Sequence, residues 1–391
     1  GVHSEGNIQE GTFRGMRGFA EKRKRKQQGS ILSTAVIGFV YAGLTLAAWF
    51  SPEKEFSDSE RRKLAQLPEL SCAAISDGSF MKDFENYAQD QFPLRNSFRR
   101  LKAVTAYDVL GQLDNHGIYV KNGYAVKLEY PLNTDSVAHA ADRFGSVYEK
   151  YLADKPVNVY LSIVPDKSFF LAKENGYLSM NYEELFRLMQ EQMSYAEYID
   201  ITGTLELADY YKTDVHWRQE RLQDTAAVLA KGLGVSLSGE ASYTKRALDV
   251  PFYGVYCGQS ALPLPAETMY YLTGDVLDDC VVTNYEDGTT GGIYNMDKAA
   301  GKDPYEMFLS GPRSLITIEN PDCESDKELI IFRDSFASSI APLLAEAYAR
   351  ITLVDIRYLR SDFLDRFIGF EDQDVLFLYS TSVLNHSETL T

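Results

Sequence analysis

Four short runs of β-branched and aromatic residues constrain the fold of this chain more than any other feature. They are VNVYLSIV (157–164), ELIIF (328–332), ITLVDI (351–356) and DVLFLYS (374–380). Each run is apolar almost without interruption, which is typical of strands that are buried on both faces of a sheet. Helical stretches separate or follow these runs at about 182–195, 218–233, 335–349 and 361–369. The alternation predicts an α/β fold in which helices cover both faces of a parallel sheet.

The rest of the chain departs from this alternation. The segment 117–128 (GIYVKNGYAVKL) alternates around Asn122-Gly123, which predicts a β-hairpin with a type I′ turn. Ser79 is a candidate N-cap for an amphipathic helix, and residues 133–154 form a further predicted helix. Residues 240–325 hold Gly, Asp, Tyr and short β-like pieces, and we interpret them as an irregular insertion.

A run of 20 uncharged, mostly apolar residues, Ile31–Phe50, lies near the N-terminus. A helix of that length spans about 30 Å, the thickness of the hydrocarbon core of a membrane. Five consecutive basic residues precede it and the acidic stretch SPEKEFSDSE follows it, which predicts a cytoplasmic tail and an extracytoplasmic body. A cleaved signal peptide, with Ala47-Ala48 near its cleavage site, and a buried core helix are the alternatives. The run is longer than a signal core of about 7–15 residues, which favours a single-pass anchor in the cell membrane.

The expected organisation follows from these segments. Residues 1–30 form the basic cytoplasmic tail and residues 31–50 the transmembrane anchor. Residues 51–110 form a stalk and a helical lead-in, and residues 111–391 form the α/β domain with its insertion. A chain of 391 residues is long enough for one large domain with appendages or for two domains.

Charge and cysteine content bear on partners and cross-links. The formal net charge is −17, and residues 1–30 hold seven Lys/Arg against three Glu, which leaves −21 on the remainder. A body this acidic disfavours nucleic acid as a partner, because phosphate binding needs a basic surface. Cys72, Cys257, Cys280 and Cys323 show no metal-ligand spacing. A disulfide between Cys280 and Cys323 and free buried thiols both stay open.

Two short motifs fall where an open parallel sheet collects its active groups, at the carboxyl ends of strands. In RDSF (333–336) a serine follows a strand and precedes a helix, so its hydroxyl is exposed beside a helix N-terminus. In DVH (214–216) the aspartate is close enough to accept the Nδ1–H of the histidine, which leaves Nε2 free to deprotonate a serine. The pattern predicts a catalytic triad of Ser335, His216 and Asp214.

Each motif also has a simpler explanation. A serine after a strand is most often the N-cap of the next helix, and an Asp-x-His pair is as often loop hydrogen bonding as catalysis. Histidine usage favours catalysis, because only His216 has an acidic neighbour in a strand-to-helix loop. The other histidines are His3, His116, His139 and His386.

The combination of TDVHW (213–217) with FRDSFASS (332–339) resembles the DHHW protein family. That family is related to the SGNH-like acetyltransferases that modify alginate and other exopolysaccharides. Family-like stretches extend from about residue 55 to the C-terminus and include FSDSERRKLAQLPELS, FENYAQDQFPLRNSF, VPDKSFF and VDIRYLR. The resemblance implies an SGNH-hydrolase-like three-layer α/β/α fold in which the DxH motif precedes the serine. It also implies that Asp214 orients, His216 acts as the base and Ser335 is the nucleophile.

Two positions depart from the family's motifs. Val215 replaces the first histidine of DHHW, and Arg333 replaces the glycine of GDSF, which makes the expected oxyanion hole harder to assign. Lys167, Arg333 and Trp217 are candidate substrate-binding residues. The alternatives are solvation or an ion pair for Lys167 and packing beneath the histidine loop for Trp217.

The function implied by the resemblance is transfer of an acyl group, first of all acetyl, to hydroxyls of a cell-surface or secreted polysaccharide. A multipass membrane-bound O-acyltransferase would supply the acyl group, and neither a cofactor nor a metal is expected. An acetyl-esterase with the same triad and a non-catalytic glycan-binding or scaffold protein are the competing functions. A metallophosphoesterase also uses an Asp-x-His pair, but Asn115-His116 precedes Asp214 here and no GDxxD motif follows.

The predicted topology can be tested on intact cells. Added protease is expected to digest residues 51–391, because the charges that flank Ile31–Phe50 place the body outside the membrane. Immunodetection of the digested body provides the measurement. A body that resists protease until the membrane is permeabilised would contradict this topology.

Overall fold

The computed structural model describes residues 5–237 and 243–391, with side chains described from residue 27 onward. The described chain begins with one long helix, α1 (Glu5–Phe50). None of its segment Gln27–Phe50 is buried against the rest of the chain, and the segment is long and apolar enough to cross a membrane, either as an anchor or as a signal sequence.

The chain forms two compact units. The first comprises the chain up to Ser57 together with Arg62–Phe98, and the second comprises Asp58–Arg61 together with Arg99–Thr391. In the first unit β1 (Phe56–Ser57) pairs antiparallel with β2 (Arg62–Lys63). The helices α2 (Cys72–Ser76) and α3 (Ser79–Asp90) follow, and α4 (Arg95–Val104) begins there and continues into the second unit.

Helix α3 has the amphipathic character that the sequence predicts, but it begins differently. Phe80, Phe84 and Tyr87 form a row in which successive ring centroids lie 6.0 Å apart. The predicted cap was wrong: Gly78 is the N-cap and Ser79 is the first helical residue. Gly78 has a φ of 80°, a left-handed conformation that glycine adopts without steric cost. A residue in this conformation lies outside the helix, so the helix begins at Ser79.

The second unit holds the remaining elements. Its strands are β3 (Ile118–Lys121), β4 (Tyr124–Lys127), β5 (Asn158–Val164), β6 (Glu197–Tyr198), β7 (Thr244–Phe252), β8 (Glu267–Thr273), β9 (Val281–Asn284), β10 (Thr290–Gly291), β11 (Leu315–Glu319), β12 (Glu328–Arg333), β13 (Arg350–Val354) and β14 (Asp374–Ser380). Its further helices are α5 (Thr134–Val147), α6 (Lys167–Asn175), α7 (Tyr182–Gln192), α8 (Gln223–Gly232), α9 (Val255–Ser260), α10 (Asp275–Asp279), α11 (Met296–Ala299), α12 (Ala337–Ile340) and α13 (Thr381–Asn385). Shorter π- or 3₁₀-helical turns lie at Thr105–Val109, Tyr148–Leu152, Thr202–Thr204, Leu207–Asp209, Gln219–Arg221, Pro304–Met307, Ala341–Leu344 and Ser361–Arg366.

Eight of the strands in the described residues form one sheet, in the order β10-β9-β11-β13-β12-β14-β5-β6. The neighbours from β13 to β6 are parallel, whereas β11, β9 and β10 add antiparallel pairs at the other side. All four of the continuous apolar runs are therefore strands of this sheet. The two that lie nearest the predicted serine motif, β12 and β14, are central and buried at nearly every position.

Side-chain alternation along the strands builds a core on each face of the sheet. One core takes Ile331, Leu353 and Leu376 and packs them against α8 and the chain around 336–348. The opposite core takes the neighbouring positions, such as Ile330 and Phe377, and packs them against α5 and α7. Because both faces are covered by helices, the unit has the three-layer α/β/α architecture.

The segment 240–325, interpreted as an irregular insertion, contributes to the fold in two ways. Strands β7 and β8 form a separate two-stranded antiparallel sheet. Strands β9, β10 and β11 instead extend the main sheet. The predicted hairpin around Asn122-Gly123 is present, with φ values of 52° and 81° as a type I′ turn requires.

The suggested Cys280–Cys323 disulfide is not present, because all four cysteines are free thiols. Cys280 is buried, and its burial raises the pKa of its thiol to about 12. A thiol held in its neutral form is a poor nucleophile, so Cys280 serves as a small core side chain.

Replacing a central core side chain tests this architecture. Leu376→Ala on β14 removes a fully buried side chain and is expected to lower the free energy of unfolding by about 2–5 kcal/mol, through lost burial and a residual cavity. Denaturant titration followed by circular dichroism gives the measurement. Leu178→Ala, at a side chain that is 58% exposed, is the control and should leave the midpoint nearly unchanged.

Candidate active site

Ser335 lies at the carboxyl edge of the sheet, in the turn that follows β12. The buried carboxylate of Asp334 accepts the N–H of Phe336 at 3.0 Å and the N–H of Ser380 at 2.8 Å. These bonds join the turn after β12 to the end of the neighbouring strand β14. Ser335 is partly exposed although the residues on both sides of it are buried, so the turn presents its hydroxyl outward.

Asp214 and His216 belong to a tight loop that is closed by its own backbone. Tyr210 and Trp217 form an antiparallel bridge, and the N–H of Tyr211 donates to the carbonyl of His216 at 3.0 Å. Between these points the chain turns so that the carboxylate of Asp214 also accepts the backbone N–H of His216, at 3.1 Å. The two-residue spacing read from the sequence therefore brings the aspartate and the histidine ring to the same side of the loop.

The three predicted triad residues lie in hydrogen-bond series. Nδ1 of His216 lies 2.7 Å from Oδ1 of Asp214, and Nε2 of His216 lies 2.8 Å from Oγ of Ser335. With Nδ1 protonated toward the carboxylate, Nε2 is the acceptor for the serine proton. An arrangement of this kind can activate a serine for attack on an acyl carbonyl.

The carboxylate of Asp214 is fully buried and is held by several donors. Its Oδ2 accepts the N–H of Val255 at 2.8 Å and a guanidinium N–H of Arg61 at 3.2 Å. Burial by itself raises the pKa of Asp214, but the hydrogen bond and charge of His216, the charge of Arg61 and the Val255 N–H together hold it below its ordinary value. Asp214 is therefore ionised whenever His216 is able to act as a base.

An aromatic side chain fixes the plane of the His216 ring. The Tyr305 ring stacks on it with centroids 3.8 Å apart and planes 8° apart. The Tyr305 hydroxyl lies 2.9 Å from Oγ of Ser339, a hydroxyl that also accepts the indole N–H of Trp217 at 2.9 Å. Burial raises the pKa of Tyr305, so the ring stays neutral. The histidine is thus held by hydrogen bonds in its plane and by a stacked ring on its face.

The three predicted substrate-binding residues are all buried. Trp217 is fully buried and donates its indole N–H to the Phe336 carbonyl at 3.0 Å as well as to Ser339. Arg333 is also fully buried, donates to Oγ of Ser338 at 2.9 Å, and has a pKa that burial lowers. Both side chains frame the turn that carries Ser335. A contact of either one with substrate stays a prediction.

Lys167 has a comparable internal role. It is 2% exposed, and its ammonium group donates to the carbonyls of Ala125, Tyr211 and Lys212 at 2.5, 3.0 and 3.3 Å. Burial lowers the pKa of Lys167 to about 7, while three carbonyl acceptors match the three N–H groups of the charged form. The lysine therefore ties β4 to the start of the loop that carries Asp214.

Sequence reasoning missed Arg61, Val255 and Tyr305. Arg61 and Val255 lie 153 and 41 residues from Asp214 along the chain, and Tyr305 lies in the segment that we interpreted as an irregular insertion. Arg61 falls within the family-like stretch FSDSERRKLAQLPELS, and that stretch is the only signal that pointed to it. No sequence pattern distinguished Tyr305 among 26 tyrosines.

Neither a family model nor a curated protein matches the chain, but solved structures do. A DHHW family protein from Eubacterium siraeum gives a TM-score of 0.57 at 18% identity and covers 71% of this chain and 95% of that chain. Bacillus cereus PatB1 gives 0.55 at 17% identity, covering 68% of this chain and 96% of that chain. A structure of PatB1 with a sulfonyl adduct gives 0.54 at 17% identity, covering 68% and 97%.

These likenesses show the fold. The chain shares its fold with a DHHW family protein over nearly the whole length of that protein. The SGNH-like α/β/α fold expected from the sequence is therefore confirmed.

A lysine substitution tests the internal role of Lys167. Lys167→Met is expected to lower the free energy of unfolding by about 1–3 kcal/mol, because it leaves buried carbonyl groups without a donor. The expected functional loss is in the maximal rate, through a displaced Asp214 loop, and not in substrate affinity. Unchanged stability together with a raised KM would instead assign Lys167 to substrate binding.

Proposed function

We propose that this chain transfers an acyl group, which we take to be acetyl, to hydroxyls of a cell-surface or secreted polysaccharide. One observation carries the proposal, the hydrogen-bond series from Asp214 through His216 to Ser335 at the carboxyl edge of the sheet. The series supplies a nucleophile, a base and an orienting acid, which are the groups that acyl transfer through a serine ester needs.

In the first half-reaction Ser335 Oγ attacks the carbonyl carbon of the donor acyl group. His216 Nε2 takes the serine proton as the new C–O bond forms, and Asp214 stabilises the resulting imidazolium. The backbone N–H of Ser335 has no acceptor within the described residues, so it is available to the oxyanion of the tetrahedral intermediate. Collapse of the intermediate breaks the bond between the acyl carbon and the donor, and the departing donor group takes the proton from His216.

In the second half-reaction an acceptor hydroxyl attacks the acyl-Ser335 ester. His216 removes the proton of that hydroxyl and then returns it to Ser335 Oγ as the ester bond breaks. A sugar hydroxyl as acceptor makes the protein a transferase, and water as acceptor makes it an esterase. We propose the sugar, because the family that the TDVHW and FRDSFASS motifs resemble is related to exopolysaccharide acetyltransferases.

The N-terminal helix bears on where the reaction takes place. Gln27–Phe50 is long and apolar enough to cross a membrane, and its basic and acidic flanks favour a catalytic unit on the extracytoplasmic side. Acyl donors such as thioesters are made inside the cell, so an acyl group must be carried across the membrane. We propose that a multipass membrane-bound O-acyltransferase delivers it and that the single helix keeps this chain beside that partner.

The solved relatives support the proposal through their fold. The fold is shared with a DHHW family protein, and PatB1, which has the same fold, has been obtained with a sulfonyl adduct. Sulfonyl groups react with activated hydroxyls, so the equivalent reaction of this chain is a direct probe of the proposed nucleophile.

Substitution of the triad tests the enzymatic proposal. The full chain is expected to hydrolyse nitrophenyl acetate, and Ser335→Ala and His216→Ala should each remove most of that activity. The double variant should lose little more than either single variant, because triad members act as one unit. Asp214→Asn should also be strongly impaired, since an amide no longer favours the tautomer that frees Nε2.

Three outcomes separate the candidate functions. A transferase should divert acetyl from water to an added oligosaccharide, whereas an esterase should continue to release acetate at the same rate. Equal hydrolysis by the wild type and by Ser335→Ala, with both folded, would leave the glycan-binding or scaffold function. Ser146→Ala, at a serine of α5 whose hydroxyl makes only an exposed bond to the carbonyl of Asp142, is the control and should retain the activity.

A further inference from the structure

We propose that Arg61 is a positioning residue of the triad and that the segment Asp58–Arg61 is a built part of the active site. The inference rests on the proposed function and names a residue that the triad motif does not contain. One guanidinium contacts both the acid that orients His216 and the loop that carries its stacking partner.

The contacts of Arg61 are made inside the site. Its Nη1 donates to Oδ2 of Asp214 at 3.2 Å and to Oδ2 of Asp303 at 2.7 Å. Its Nη2 donates to the carbonyl of Tyr253 at 3.0 Å. The Arg61 side chain is only 14% exposed, so its bonds to Asp214 and Asp303 are partly shielded from water. The guanidinium therefore joins Asp214 to two other parts of the chain.

Asp303 connects Arg61 to the aromatic ring that stacks on His216. Its Oδ1 accepts the N–H of Tyr305 at 3.1 Å and caps the 3₁₀ turn Pro304–Met307. The Tyr305 ring then stacks on His216. Arg61 thus fixes the ring of His216 twice, once through Asp214 in the ring plane and once through Asp303 and the stacked tyrosine.

The charges around this arrangement depend on Arg61. Burial and the negative charge of Asp214 raise the pKa of Asp303 to about 6, against the lowering effects of Arg61 and His216. The carboxylates of Asp214 and Asp303 both contact the Arg61 guanidinium and share its positive charge. Lys167 is a further buried cation whose charge interacts with Asp214, but its ammonium donates to the carbonyls of Ala125, Tyr211 and Lys212.

Each residue of the segment Asp58–Arg61 makes a contact that holds the segment in place. Asp58 pairs with Lys302 at 2.6 Å, and Glu60 pairs with Arg99 at 3.2 Å. The backbone of Ser59 lies against Gly258 of α9, where a Cβ atom would overlap the Ser59 carbonyl. Arg61 itself has a φ of 53°, a left-handed conformation that a non-glycine residue adopts at a cost. A strained residue held in place by its own contacts and those of its neighbours is typical of a functional position.

Helix α9 connects this seat to the triad. Its first residue, Val255, donates its N–H to Asp214, and its fourth residue, Gly258, makes room for Ser59. The same short helix therefore contacts both Asp214 and the segment Asp58–Arg61. Position 258 must be glycine, because a side chain there would overlap the backbone of Ser59.

The test measures how fast a sulfonyl fluoride labels Ser335 in the full chain. Labelling forms a bond from Ser335 Oγ to sulfur, releases fluoride, and needs His216 to take the serine proton. Arg61→Ala is expected to slow labelling by roughly 10- to 100-fold through misplacement of Asp214 and His216. Arg61→Lys, which keeps the charge but cannot reach all three acceptors, should recover part of the rate.

A pair of substitutions separates positioning through charge from a general loss of packing. Arg61→Met keeps the apolar stem of the side chain but removes its charge and donors, so it should be labelled as slowly as Arg61→Ala, whereas Arg61→Lys recovers part of the rate. Arg62→Ala, at the adjacent arginine that binds Asp90, should leave the rate unchanged.

Gly258→Ala supplies a second variant that leaves every charged group in place. Its Cβ should displace the Ser59 backbone and with it Arg61, so labelling should slow in the same direction as in Arg61→Ala. Gly145→Ala in α5, where a Cβ meets no atom within 4 Å, is the control and should behave as wild type.

The outcomes separate the two proposals. A wild type that is not labelled at Ser335 would overturn the proposed function. A labelled wild type with equal rates in folded Arg61→Ala and Gly258→Ala would overturn the role of Arg61 alone. Labelling of Arg61→Met at the wild-type rate, or labelling of Arg61→Lys no faster than of Arg61→Met, would also contradict it, because packing and not the guanidinium would then explain the effect.

Discussion

The buried carboxylate of Asp214 is the constraint on which the rest of the site depends. Removing an ion from water costs several kcal/mol even after relaxation, so the charge persists only if donors surround it. Four donors do so: the ring and backbone N–H groups of His216, the N–H of Val255 and the guanidinium of Arg61. Breaking such a buried pair by removing one partner costs about 3–5 kcal/mol. The need to satisfy this carboxylate therefore selects the conformation of three separate segments.

The sheet supplies the other half of the geometry. Strand β12 lies between β13 and β14, and it delivers Ser335 to the carboxyl edge in a turn that is fixed by Asp334. Trp217 packs beneath the histidine loop and bonds the backbone of the same turn. Ser335 and His216 thus come from separate parts of the chain. The buried side chain of Trp217 connects the two parts, and Nε2 of His216 lies 2.8 Å from Oγ of Ser335.

Much of this could be predicted from the sequence, because the signals are local. Continuous apolar runs predicted the sheet, since β12 and β14 are buried on both faces. A strand-to-helix serine and an Asp-x-His motif predicted the three residues that lie in hydrogen-bond series. Helix extents were less accurate. The helix predicted at 335–349 is a single turn, Ala337–Ile340, followed by a 3₁₀ turn. Pro342 lacks the N–H that a continuing α-helix needs and favours this change.

The parts that could not be predicted depend on contacts between distant residues. Arg61 meets Asp303 across 242 residues, and no spacing rule connects them. Tyr305 stacks on His216 from the segment with the weakest pattern, and Gly258 is needed for a close backbone approach that sequence does not reveal. These contacts exist only in the folded chain, where they surround the buried Asp214 carboxylate and the His216 ring.

Trapping the covalent intermediate tests the central claim most directly. The full chain would be mixed with nitrophenyl acetate, quenched in acid during turnover, digested, and mapped by mass spectrometry. A catalytic Ser335 predicts one acetyl group on the peptide that contains it, in the wild type and not in Ser335→Ala. Turnover with the acetyl group on a different residue, or with no acetylated peptide under conditions that preserve serine esters, would contradict it.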